Sequence, residues 1–77
     1  MASVFYIELG KLLQSVRLDN KMSQQDVADR MKVSRSTIAN WETGRRVINI
    51  DDLFKLCEIF NIDPNILTNQ VKRYLYK

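Results

Sequence analysis

Residues 23–44 read SQQDVADRMKVSRSTIANWETG, and this stretch decides the fold. Two short amphipathic segments lie in it, each opened by a serine and separated by a very short turn. Ser23 and Ser34 are good N-caps, because a serine oxygen accepts from a free N–H of the first helical turn. Each is preceded by an apolar residue that matches another at the fourth helical position: Met22 with Val27, and Val33 with Ile38. Such pairs are hydrophobic staples. The first segment is expected to be a helix over 24–31 burying Val27, Ala28 and Met31. The second is expected over 35–43, with Ile38 and part of Trp41 inward. Gly44 then stops it, where a left-handed residue is needed.

The same start signal recurs further along. Ile48-Asn49 pairs with Leu53 and opens a helix over about 50–60, with Leu53, Leu56, Cys57 and Phe60 on one face and Asn61 as its left-handed end. Ile62-Asp63 pairs with Leu67 and opens a last helix from 64 into the tail, with Pro64 at its first position. Ser23 with Asp26, and Asn49 with Asp52, have the spacing of capping boxes. Upstream, Phe5, Leu9, Leu12, Leu13 and Val16 recur at three- and four-residue spacing, the stripe of a first helix over about 4–20. That helix is expected to end near Asn20-Lys21, where Asn tolerates the left-handed conformation. The expected fold is all-α: one compact five-helix domain over 1–77, with a helix-turn-helix at helices two and three.

Composition narrows the function. The 77 residues include one Cys and no His, so neither an internal disulfide framework nor a Cys/His zinc site is available. No cofactor or small-molecule ligand is called for. No apolar run approaches a membrane span, and no secretory signal pattern opens the chain, so a cytoplasmic setting without membrane contact is expected. No nucleophile stands with a base, and no Gly-rich phosphate loop occurs, so an enzyme is not expected. Asp51-Asp52 read as helix N-terminal charges, Cys57 as a small buried hydrophobe, and Trp41 as a wedge against the core.

Charge is uneven along the chain. Residues 11–46 carry eight basic and four acidic side chains, a balance of +4, while 47–63 balance to −3 and Lys72, Arg73 and Lys77 restore +3 at the end. Positive charge therefore gathers about the two capped helices, as a surface for a polyanion requires. A solvated charged face fits that distribution equally well.

The second capped helix presents a polar outer face beside its inward Ile38. Arg35, Ser36, Ala39, Asn40 and Thr43 lie there. Arg bonds bidentately to guanine and Asn to adenine, so Arg35, Ser36 and Asn40 are the candidate base readers of double-stranded DNA. Ser23 and Gln24, at a helix N-terminus, and Thr43, Arg45 and Arg46, in the following turn, are candidate phosphate contacts. The plain alternatives are that Ser23 is only a cap and Arg45-Arg46 only a solvated loop.

With these residues in view, MSQQDVADRMKVSRSTIANWETGRR followed by INIDDLFKLCEIFNIDPNIL resembles the lambda-repressor-like (Cro/CI, XRE-type) helix-turn-helix family. With LLQSVR upstream, the resemblance spans roughly residues 9–67. It implies a five-helix domain that binds operator DNA as a homodimer and regulates transcription. It also implies that Gln24, Ser34, Arg35, Ser36 and Asn40 face DNA, that Arg45 meets the backbone, and that Arg17 pairs with Glu42 as a structural salt bridge. Lys21 and Lys32 depart from the family's helix-ending glycine, and Val47 to Asn49 replace its usual proline.

The tail leaves two readings open. Ile66, Leu67, Val71, Tyr74 and Leu75 continue one apolar stripe, which marks residues 64–77 as a dimerisation helix. Alternatively, the tail folds back on helix one near Phe5 and Tyr6. A protein-interaction module, such as the antitoxin of a toxin pair using helix five, is the rival to a DNA-binding regulator.

Overall fold

The computed structural model describes residues 3–76. Five helices follow in order: α1 Val4–Asp19, α2 Gln24–Met31, α3 Arg35–Thr43, α4 Ile50–Ile59 and α5 Pro64–Leu75. The caps explain these boundaries. Ser23 Oγ accepts from Asp26 N–H at 3.0 Å, and the Asp26 carboxylate accepts from Ser23 N–H at 2.9 Å. This closes the capping box. Ser34 Oγ accepts from Thr37 N–H, Asn49 Oδ1 from Asp52 N–H, and Asp63 Oδ1 from Asn65 N–H. At Asn49 only this forward half of the expected box forms.

Helix ends depart from expectation at one place. Asn20 is not left-handed (φ −86°); Lys21 takes that role with φ 57°. Lys32 at φ 58° ends α2 in the same way, and Asn61 at φ 53° follows α4. The family's glycine geometry is thus kept at Lys21 and Lys32 without the glycine. A left-handed conformation costs a lysine about 1 kcal/mol, because Cβ crowds the following carbonyl.

α3 lies at the centre, packed on α1 and α2; α5 covers α1 and α4, and α2 also meets α4. Leu9, Leu13, Val27, Ala28, Ile38, Trp41, Leu53, Leu56, Cys57, Phe60, Leu67 and Val71 make one core. Burying one side chain such as Ile38 stabilises the fold by about 2 kcal/mol. Two glycines let α1 come close to the end of α3. A Cβ on Gly10 would stand 2.5 Å from the Glu42 carbonyl oxygen, and one on Gly44 would stand 2.8 Å from the Ile7 Cα. Gly44 is also left-handed, with φ 76°.

The stripe on α5 needs correction. Leu67 and Val71 are fully buried within the protomer, because α5 lies on α1 and α4. They belong to the core and are not available to a partner chain. Of the expected dimer residues, Ile66 and Tyr74 are exposed and Leu75 is half-buried against the core. This side of α5 packs on α1. Lys77 lies outside the described residues. Among the described residues, no helix is long and apolar enough to cross a membrane.

Candidate nucleic-acid interface

A buried ion pair underlies the outer surface. Arg17 Nε donates to Glu42 Oε2 at 2.6 Å, and its Nη2 donates to Oε1 at 3.2 Å. Arg17 Nη1 also donates to the Met22 carbonyl at 2.8 Å. Both side chains are almost wholly buried. A buried carboxylate needs such partners, since desolvation otherwise outweighs its Coulomb gain.

The same carboxylate reaches outward through Gln24. Gln24 Nε2 donates to Glu42 Oε1 at 3.0 Å, and Arg35 Nη1 donates to Gln24 Oε1 at 3.2 Å. A chain of polar contacts thus runs from the interior to the first residue of α3. It fixes which way the Gln24 amide points: oxygen outward, nitrogen inward. The second Nε2 hydrogen of Gln24 takes no part in these two bonds. Ser23 N–H, in contrast, already bonds Asp26. Hydrogen bonding with Ser23, through its backbone N–H first and its side chain second, holds the Asp26 carboxyl below its usual pKa.

On α3, Arg35 and Ser36 are exposed at the N-terminal end and Asn40 is half-buried one turn on. Ser34 Oγ lies 3.0 Å from Ser36 Oγ and 2.9 Å from Thr37 Oγ1, a hydroxyl cluster at the helix start. Thr43 Oγ1 donates to the Asn40 carbonyl at 3.3 Å, and Arg46 N–H donates to the same oxygen at 3.2 Å. Arg46 Nη1 bonds Thr37 Oγ1 at 3.5 Å, so this arginine lies back along α3. Arg45 is exposed in the turn.

The structure thus brings Gln24, Ser34, Arg35 and Ser36 together at one end of α3, with Asn40, Thr43 and Arg46 joined at the other. Thr37 was not among the sequence candidates. Its burial and its contacts to Ser34 and Arg46 make it the hinge between the two groups. Its position three residues after an N-cap was the available signal.

A family model described as Helix-turn-helix matches residues 13–67. The chain belongs to the helix-turn-helix family. Within it, the XRE-type, lambda-repressor-like arrangement is the one seen in α2 and α3. Over 56 residues it is 29% identical to the HTH-type transcriptional activator BcrR of Enterococcus faecalis, covering 73% of this chain and 28% of that protein. The chain therefore spans under a third of that curated relative. Among solved structures, this helix-turn-helix domain is similar to the restriction-modification controller protein C.AhdI from Aeromonas hydrophila, with TM-score 0.76 and 26% identity over 80% of this chain and 94% of that one. It shares its fold with the clp gene regulator ClgR of C. glutamicum, with TM-score 0.84 and 20% identity over 92% of both chains. It also shares its fold with a point mutant of the controller protein C.Esp1396I bound to its highest affinity operator site, with TM-score 0.80 and 19% identity over 97% of this chain and 99% of that one.

Proposed function

We propose that the chain is a sequence-specific transcriptional regulator that binds operator DNA as a homodimer, with α3 in the major groove. One observation carries this reading. Arg35 stands exposed at the start of α3, held at its guanidinium by Gln24, with Ser36 beside it and Asn40 one turn on. Side chains held before binding lose less entropy when they meet base edges. Arg35, Ser36 and Asn40 read bases. Gln24, Ser34, Thr43, Arg45 and Arg46, with the N-terminal amides of α2, position the phosphate backbone. The controller protein bound to its operator and the transcriptional activator among the similar proteins agree with this reading.

Selection of bound sites from random duplex DNA tests it. One enriched consensus, with two half-sites related by inversion, is the expected result. Recovery of unenriched DNA would contradict it.

A further inference from the structure

A cleft opens where the end of α2 meets α4. Arg30, Met31 and Lys32 line it from α2, and Lys55, Glu58 and Ile59 from α4. Gln24 lies at the other end of α2, about 12 Å away along a helix of eight residues. The cleft has a volume of about 440 Å³, inside the roughly 300–1,000 Å³ of clefts that hold ligands. Met31 is buried and Ile59 half-buried, so the floor is apolar. Lys55 and Ile59 stand one helical turn apart and share a side of α4.

Four exposed charged side chains rim this floor: Arg30, Lys32 and Lys55 against Glu58. Three cations against one carboxylate leave an excess of two positive charges. Among the described residues, none of the four forms an ion pair. The acids beside them on α2 are engaged elsewhere: Asp29 accepts from Gln25 at 2.8 Å, and Asp26 from Ser23 at 2.9 Å. Lys32 holds its place at a cost, because its φ of 58° suits glycine. A glycine would end α2 equally well and leave the rim one cation short.

We propose that this cleft docks an acidic segment of a partner protein, with an apolar side chain on Met31 and Ile59 and carboxylates to either side. The carboxylates meet the guanidinium of Arg30 and the ammonium groups of Lys32 and Lys55. Methionine suits varied apolar guests, because its flexible thioether adapts to their shape. A nucleic-acid strand fits less well: its phosphates gain nothing from the apolar floor, and Glu58 repels them. Exposed ion pairs are each worth little, so the apolar anchor and the carboxylates act together, and the complex is weak and readily reversed. The site needs neither DNA nor a second copy of the chain.

Titration of the ¹⁵N-labelled full chain with a capped peptide, Asp-Glu-Leu-Leu-Asp-Glu, followed by amide NMR shifts, is the test. Saturable shifts at residues 30–32 and 55–59 are expected. Lys55→Glu weakens binding about fivefold, as loss of one exposed ion pair requires, and Glu58→Lys tightens it. Lys32→Gly weakens binding about twofold or more while raising the thermal midpoint, which separates docking from folding. Replacing both peptide leucines with serine weakens it at least about fivefold. Shifts that do not saturate by millimolar peptide overturn the proposal. So do equal shifts from the serine peptide, from inorganic phosphate or from a short DNA duplex, which mark an unselective anion surface. Shifts centred on Arg35 and Arg45 in place of the cleft also overturn it.

Discussion

Arg17 Nε lies 2.6 Å from Glu42 Oε2 in the interior, tying the last turn of α1 to the last turn of α3. Glu42 in turn holds Gln24, so one carboxylate serves both the core and the outer face. Removing it strands the Arg17 guanidinium in a dry site. Glu42→Ala should cost about 3–5 kcal/mol, measured by urea unfolding. Replacing both partners with apolar residues should cost much less. Equal losses for the single and double variants would show that the pair is not what matters.

Backbone strain gives a test of opposite sign. Lys32→Gly should stabilise the fold by up to about 1 kcal/mol, because φ 58° suits glycine and strains lysine. The glycine's own gain in unfolded-state freedom sets that ceiling. Gly44→Ala should destabilise, since its Cβ meets Ile7 as well as a left-handed backbone. Thermal midpoints of the two variants should move in opposite directions.

Much of this fold is legible from local chemistry. Four caps with four staples place the starts of α2 to α5, because each is settled within about five residues of chain. The family resemblance supplied Arg17 with Glu42. What escaped depends on which helix lies across from which. Leu67 and Val71 look like spare apolar surface until α1 is seen to cover them. The contact of Gln24 with Glu42 joins residues 18 apart, and no periodicity reports it. Gly10 escaped as well, although a glycine inside a helical pattern costs about 1 kcal/mol against alanine and calls for a packing reason.

The capping box makes stability depend on acid. Asp26 has its pKa lowered in the folded chain by its bonds from Ser23. Its contribution is therefore present above the unfolded carboxyl value near pH 4 and is lost as pH falls through the lower folded value. Unfolding curves at pH 7 and pH 3 should show the parent's advantage over Asp26→Ala shrinking at the acid end. An advantage that grows at pH 3 would contradict the box. Ser23→Ala should cost about 1 kcal/mol at neutral pH through the lost cap.

Reading and gripping should separate by mutation. Asn40→Ala should cost about 1–3 kcal/mol per half-site on the selected operator and relax preference at one base pair in each half-site. Arg45→Ala, which removes one phosphate contact from each of the two copies, should weaken all DNA sequences alike and lower the salt slope by about 2. Fluorescence anisotropy on the operator and its single-base variants distinguishes the two. Matching profiles for both variants would remove the division of labour between α3 and the turn after it.

The salt dependence of operator binding tests the central claim most directly. If two copies each neutralise phosphates with Arg45, Arg46 and flanking groups, log K should fall linearly with log salt at a slope of roughly −4 to −5. The selected operator should stay tighter than scrambled DNA throughout. A slope near zero, or equal affinity for operator and scrambled duplex at every salt concentration, would contradict a DNA-reading role for α3.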